Sequence, residues 1–252
     1  MSAAATPPLS APVEDYLKAI YDLERIGAPA STNDIADRLA ISPASVSGMM
    51  RRLAEQRLIT HEPYRGVRLT GAGRKAALRT LRRHRILECY LIEVLGYEWD
   101  GVHDEAERLE HAASDELIER MAARLGNPTQ DPHGAPIPTR DGRVEEAPLR
   151  TLAGAAVGER VRVRRVQDED AERLRYLAEL GIRPGALVRI LDRAPYDGPI
   201  TLWVGENTGT TRAIGVGLAA EVFVEPRGPE ERTERNVSCP GSDEPRATRR
   251  ST

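Results

Sequence analysis

The chain has 252 residues, 40% hydrophobic and 30% charged, with a formal net charge of −3. That composition can bury a core, the length suits about one to three domains, and two distant cysteines, Cys89 and Cys239, exclude a disulfide framework and a cysteine-based zinc finger. No apolar stretch approaches the ~20 residues of a membrane span. The Ala/Pro-rich start lacks the features of a signal peptide, so a reducing cytoplasm is the expected compartment.

Residues 1–12 read as a flexible tail. From Val13 onward, Tyr16, Leu17, Ile20, Tyr21 and Leu23 recur at helical spacing between Glu14, Asp15, Lys18, Asp22 and Glu24. This predicts an amphipathic helix stopped by Gly27 and Pro29. Ser31 or Thr32 caps a second helix with Ile35, Ala36 and Leu39 on its apolar face. Ser42 as N-cap and Pro43 at the first helical position open a third, which runs through Val46, Met49, Met50 and Leu53 to about Gln56. Leu58–His61 and Val67–Thr70 read as short strands joined by a turn at Pro63, Tyr64, Arg65 and Gly66.

Three helices and a hairpin is the order of a winged helix-turn-helix, although other small helical domains share it. Charge favours the winged helix. Between Ser42 and Arg85, eleven Arg/Lys stand against Glu55 and Glu62, an excess of +9 in a chain whose total is −3. A basic domain inside an acidic protein is the electrostatic footprint of phosphate binding.

Ala76–Leu95 continues as a helix, stopped by Gly96, and Val102–Leu125 reads as one further helix. Here the charge reverses: residues 86–131 hold twelve acids against Arg108, Arg120 and Arg124. Residues 127–149, rich in Pro and Gly, read as a loop or linker rather than a packed element. Strands are then expected at Arg160–Val166, Leu187–Asp192, Ile200–Val204 and Ala220–Val224, with a helix at Ala171–Leu180. This predicts a small β-barrel of about 75 residues, large enough to fold alone. The polar end, 227–252, is expected to be disordered.

His84 and Glu88 lie four apart on one helix face, and His103, Glu107, Glu110 and His111 follow on the next helix. An imidazole and a carboxylate one turn apart can hold a divalent metal from a single helix. Each such pair alone is more often an ordinary surface ion pair. A metal-dependent hydrolase would use the same clusters but needs a general base, a nucleophile motif or a phosphate loop, none of which is apparent. An interaction module built on the barrel is a further alternative.

These residues carry a resemblance. Glu14-Asp15-Tyr16-Leu17 with Ile20-Tyr21, Ser45-Val46-Ser47, Leu69-Thr70 with Gly73, His84-Arg85-Ile86-Leu87-Glu88, and His103 through His111 followed by Ser114-Asp115-Glu116 form the pattern. Pro132–Pro138 matches its linker. Over about 13–225 the chain resembles the diphtheria toxin repressor family of metal-dependent transcriptional regulators, which includes iron- and manganese-responsive members. The resemblance implies a mainly α chain with a small β domain. It divides the chain into a winged helix-turn-helix at 13–75, a helical metal-binding and dimerisation domain at 76–127, a linker at 128–149 and an SH3-like (FeoA-like) β-barrel at 150–226. The implied function is metal-activated repression of metal uptake genes, without enzymatic activity, by a homodimer on double-stranded DNA with a palindromic operator.

The resemblance implies two metal sites. The regulatory one is Asp15, Glu107, Glu110 and His111. Iron-type members have Met and Cys where this chain has Asp15 and Glu107, so the ligand set is of the manganese type. Hard oxygen ligands suit Mn²⁺, with Fe²⁺ as the alternative. Lys18 stands where one manganese-type pattern has a second acid, which puts a two-metal cluster in doubt. The ancillary site is His84, Glu88 and His103 with a barrel acid, Asp170 or its neighbour Glu172. Cys89 reads as a core thiol, and His61 and His133 as structural. The third helix is the expected recognition helix, with Ser42, Pro43, Ala44, Ser45 and Ser47 at base edges. Arg51, Arg52 and the wing residue Arg65 are the expected phosphate clamps.

Overall fold

The computed structural model describes residues 9–25, 29–62, 65–145, 148–167 and 170–227. The expectations for residues 1–8 and 228–252, and for Gly27, Pro63 and Tyr64, lie outside the described residues. The chain divides into two compact units. One comprises Met1–His84, Glu107–Leu117 and Ile137–Glu145; the other comprises Arg85–Ala106, Ile118–Pro136 and Glu146–Thr252.

The first unit opens with α1 (Ala11–Arg25), α2 (Thr32–Leu39), α3 (Pro43–Glu55), β1 (Ile59–Glu62) and β2 (Gly66–Leu69). The apolar stripe of α1, Val13, Tyr16, Leu17, Ile20 and Tyr21, is buried in a core with Ile35, Val46, Leu53, Val67 and Leu78. Ser31 and Asp34 form a reciprocal capping box at the start of α2, which ends at Ala40 in the left-handed conformation. Ser42 caps α3 by accepting the Ser45 N–H, and Pro43 supplies the first turn. β1 and β2 pair antiparallel from Ile59↔Leu69 to Glu62↔Gly66. Ala30 adds to this wing by exchanging backbone hydrogen bonds of 3.0 and 2.9 Å with Val67. Gly66, at φ +120°, makes the approach feasible, because a side chain there would strike the Ala30 carbonyl.

Three helix boundaries differ from the sequence expectation, the first being that of α1, which begins at Ala11 inside the expected tail. α4 (Gly71–Glu93) begins before Ala76, because the Thr70 hydroxyl accepts the Gly73 N–H at 3.1 Å and caps the helix. The segment expected as one helix is two: α5 (Val102–Glu110) and α6 (Asp115–Arg124). Ser114 interrupts the run by accepting the Leu117 N–H at 3.2 Å, and Asp115 and Glu116 complement the positive end of α6. His111 therefore stands just past the end of α5. α4, α5 and α6 each contribute residues to both units.

The second unit contains β3 (Arg150–Thr151), a 3-10 turn at Leu152–Gly154, β4 (Arg160–Val166), α7 (Ala171–Glu179), β5 (Leu187–Arg193), β6 (Ile200–Gly205), β7 (Gly209–Ile214), α8 (Val216–Ala219) and β8 (Val222–Pro226). The strands form an antiparallel sheet in the order β3-β8-β4-β5-β6-β7, an SH3-like arrangement. Val161, Val163, Leu174, Ile190, Leu202 and Val224 fill its core. β7 escapes a sequence reading because Ile214 alone in it is buried. Ala220, expected as the start of the last strand, instead caps α8.

The stretch expected as an open linker is packed in part. Asp131, His133, Gly134 and Ala135 are all buried. Asp131 folds the turn on itself by accepting the N–H groups of His133 and Ala135, each at 2.9 Å. Gly134 lets the turn lie on β4: its Cβ would fall 1.9 Å from the Arg164 carbonyl oxygen, and the Val166 N–H donates to the His133 carbonyl at 2.9 Å.

Gly73 provides a stability test. Gly→Ala inside a helix normally gains about 1 kcal/mol. At Gly73 a Cβ would lie 1.9 Å from the Leu58 carbonyl oxygen, so the sign should reverse. We expect Gly73→Ala to lose about 1–3 kcal/mol in chemical denaturation, the usual range for overpacking. A more stable variant would contradict the close approach of α4 to the Leu58 carbonyl.

Candidate metal centres

The regulatory residues expected from the sequence converge in the first unit. Asp15 comes from α1, Glu107 and Glu110 from α5, and His111 from the turn after it. Asp15, Glu110 and His111 offer ligand atoms within 4.8 Å of one another, as do His84, Glu107 and Glu110. His111 Nε2 lies 2.8 Å from Asp15 Oδ1 and 3.5 Å from Glu110 Oε1. His84, expected in the ancillary set, has its Nδ1 2.6 Å from Glu110 Oε2.

Glu110 is fully buried and organises the cluster. Burial would raise its pKa, but the hydrogen bond with His84 and the Lys18 ammonium together hold it below the usual carboxylate value. Lys18 Nζ donates to Glu110 Oε1 at 2.8 Å and to Glu107 Oε1 at 3.0 Å. Burial would lower the Lys18 pKa, but the two carboxylates outweigh it and raise it. Burial raises Asp15 above its ordinary value, against the opposing pull of His111 and Lys18.

Glu14 is the residue that sequence reasoning missed. Its carboxylate is buried on the core side of α1 and meets His111 Nδ1 at 2.7 Å and Arg83 Nη1 at 3.1 and 3.2 Å. The available signal was its spacing: Glu14 falls three before Leu17, on the apolar stripe. Arg83, itself buried, also reaches the Glu110 carbonyl at 3.4 Å and Asp115 at 3.3 Å. Burial raises the Asp115 pKa, but Arg79 and Arg83 outweigh it and lower it overall. The arrangement is that of an imidazole whose Nδ1–H is held by an outer carboxylate while Nε2 faces the donors. With the proton on Nδ1, the Nε2 lone pair confronts Asp15 Oδ1, a buried oxygen that lacks a hydrogen bond among the described residues. A lone pair facing a carboxylate is repulsive unless a proton or metal cation stands between them. Three carboxylates and two imidazoles, hard and borderline donors, therefore fit a divalent ion.

The second unit holds another cluster. Glu88, fully buried one turn after His84 on α4, has Oε1 3.4 Å from His103 Nδ1 and 3.8 Å from His133 Nδ1. Glu88, Asp131 and His133 offer ligand atoms within 4.8 Å of one another. The Nε2 of His133 meets the Trp99 carbonyl at 3.0 Å, which fixes the ring with Nδ1 toward Glu88. Arg85 Nε stands 3.2 Å from Asp131 Oδ2. His133, read from sequence as structural, thus belongs to this cluster. Asp170 does not join it among the described residues: it caps α7 by accepting the N–H groups of Glu172 and Arg173 at 3.0 and 3.1 Å, and pairs with Arg173 Nε at 3.0 Å. Glu172 is exposed on the same turn. Cys89 is buried as expected, and His61 lies exposed on β1.

The candidate DNA surface lies on α3 and the wing. Ser42, Pro43, Ala44, Ser45 and Ser47 are exposed along the start of α3, and Arg51, Arg52 and Arg65 are exposed beyond them. The Ser42 and Ser45 hydroxyls share a 2.9 Å hydrogen bond, and Ser47 donates to the Pro43 carbonyl at 3.0 Å. Arg68 is committed to Glu62 at 2.8 Å.

Three family models match in succession: the iron dependent repressor N-terminal DNA binding domain over residues 8–67, the iron dependent repressor metal binding and dimerisation domain over 70–139, and the FeoA domain over 150–226. The diphtheria toxin repressor of Corynebacterium efficiens is 35% identical over 190 residues, covering 71% of this chain and 82% of that protein. The chain belongs to the diphtheria toxin repressor family of metal-dependent transcriptional regulators. The iron-dependent repressor IdeR of Mycobacterium leprae is also 35% identical, over 210 residues, covering 78% of this chain and 90% of its own length. A solved manganese-dependent transcriptional repressor in complex with manganese is 41% identical, covers 85% of this chain and all of its own, and superposes with a TM-score of 0.79. Members of this family are DNA-binding regulators rather than enzymes, so the hydrolase alternative falls away.

Glu14→Gln tests the site's outer support. The amide keeps the shape but removes the anion that holds Arg83 and His111. We expect Mn²⁺ affinity, measured by electron paramagnetic resonance of the free ion, to fall by about 10–100-fold, the usual effect of losing a ligand's outer partner. Unchanged affinity would remove Glu14 from the site.

Proposed function

We propose that this chain is a manganese-activated repressor of metal uptake genes that acts in the cytoplasm as a homodimer on a palindromic operator. The observation that carries the reading is the donor set of Asp15, Glu107, Glu110 and His111, all oxygen and nitrogen. Sulfur donors would favour softer or later metals, whereas a carboxylate-rich site suits Mn²⁺. The domain organisation follows the family pattern: DNA-binding residues 13–75, a dimerisation region at 76–127, and an SH3-like domain at 150–226. Leu109 and Leu117, large apolar side chains left exposed near the cluster in sequence, support a covered face in a dimer.

A divalent ion bound at this cluster supplies the positive charge that offsets the repulsion among its carboxylates. Asp15 stands on α1, whose apolar stripe shares a core with Val46 and Leu53 of α3. Tying Asp15 to Glu107, Glu110 and His111 therefore sets where the recognition helix stands relative to α5. In a two-fold dimer that placement fixes the distance between the two recognition helices, and half-site spacing on DNA is a geometric demand. His84 acts with this cluster through Glu110. Glu88, His103, Asp131 and His133 form the second, ancillary set. Ser42, Pro43, Ala44, Ser45 and Ser47 approach base edges and thymine methyls. With their hydroxyls partly engaged within the helix, they provide little bidentate readout, so specificity leans on shape and spacing.

Operator binding titrated anaerobically with Mn²⁺, Fe²⁺, Zn²⁺ and Ca²⁺ tests the reading. Mn²⁺ should activate at the lowest occupancy, and Glu110→Ala and His111→Ala should abolish the response while each chain stays folded. Activation by Fe²⁺ alone would favour the iron-responsive alternative, and metal-independent binding by both variants would overturn the site.

The phosphate clamps have their own readout. Arg51, Arg52 and Arg65 make no ion pair among the described residues. Replacing each by Ala should reduce the log–log slope of affinity against salt by about 1. An unchanged slope in all three would move the DNA surface elsewhere.

A further inference from the structure

The regulatory cluster contains a cation of its own. Lys18 follows Asp15 by three residues on α1, so both side chains leave the same face of the helix. Its ammonium is inserted between Glu107 and Glu110, with its side chain only 14% exposed. An ordinary surface lysine would keep its head group in water. This one gives two of its three donors to two carboxylates of the site, at 2.8 and 3.0 Å.

We propose that Lys18 is a resident counter-cation of the regulatory cluster, which limits the site to one divalent ion per protomer and keeps its carboxylates assembled before metal arrives. This rests on the reading of the cluster as the metal site.

Occupancy of the carboxylate oxygens supports this role. The ammonium sits on one oxygen each of Glu107 and Glu110, the carboxylates that a second ion would have to share. A second divalent ion would have to displace it or tolerate a positive charge at contact distance. Asp15, Glu107, Glu110 and His111 are then left to hold one ion beside the ammonium. The metal-free state points the same way. Asp15 and Glu107, both partly exposed, converge on Glu110, which has no exposure to water. Without a cation their mutual repulsion and desolvation would drive α1 and α5 apart. Lys18 spans that pair of helices directly.

The test compares wild type, Lys18→Glu, Lys18→Gln and His111→Ala as full-length chains. Bound Mn²⁺ is counted by electron paramagnetic resonance, and the melting temperature is recorded with and without Mn²⁺. Lys18→Glu supplies the acid that a two-ion cluster needs and should bind one more Mn²⁺ per chain than wild type. Any ion at the Glu88 cluster is common to both and cancels. Lys18→Gln should melt lower without metal, bind its Mn²⁺ about tenfold more tightly, since the repelling charge is gone, and show a larger Mn²⁺-induced rise in melting temperature. Equal Mn²⁺ counts in wild type and Lys18→Glu, or a Lys18→Gln chain with unchanged metal-free melting and unchanged affinity, would overturn the role given to Lys18. His111→Ala separates the two levels. If it loses Mn²⁺ while the Lys18 variants behave as wild type, the metal site stands and Lys18 is not part of it. If it binds Mn²⁺ as wild type does, the site itself falls and this proposal falls with it.

Discussion

A carboxylate with no access to water must be compensated where it stands. Glu110 is such a group, and much of the first unit's polar architecture follows from satisfying it. Lys18 answers it from α1, His84 from α4 and His111 from the turn beyond α5. Arg83 adds the next layer by joining Glu14, the Glu110 carbonyl and Asp115. A buried ionic network of this kind is a poor source of net stability, because desolvation consumes most of the Coulomb gain. Its value is specificity of arrangement: removing one partner leaves another buried charge uncompensated, so the helices hold one mutual position or loosen.

That property suits a switch. α1 carries Asp15 and Lys18 of the cluster on one face and the apolar stripe of the DNA-binding core on another. In the proposed switch, a change in charge balance around Glu110 would pass through side-chain packing to α3. Such coupling would be local, since Asp15 and the apolar stripe lie on the same helix.

Much of this was legible in the sequence, and the gaps have physical causes. The three helices and the hairpin were visible because their caps, Ser31 and Ser42, and their apolar spacing point the same way. The split between α5 and α6 was not, since the hydrophobic period continues across it and Ser114 overrides it with one side-chain cap. β7 lacks the alternation that marks a strand. Asp15, Glu110 and His111 were readable from spacing and resemblance. Glu14 was not assigned a role, because a buried acid on an apolar stripe looks like a misplaced residue until its partners Arg83 and His111, distant in sequence, are seen. Lys18 was legible only as a departure from a pattern; its insertion between two carboxylates is a tertiary fact. His133 was hidden for the same reason: a Pro/Gly-rich stretch reads as a loop, and nothing local says that Asp131 folds it into a buried turn against Glu88.

On this reading a divalent ion belongs where α1 meets α5. Anomalous diffraction at the manganese absorption edge from crystals grown with Mn²⁺ addresses it directly. An anomalous peak bounded by Asp15, Glu107, Glu110 and His111 is expected. A manganese-loaded crystal with no peak there, or with its peak confined to the Glu88 and His133 cluster, would contradict it.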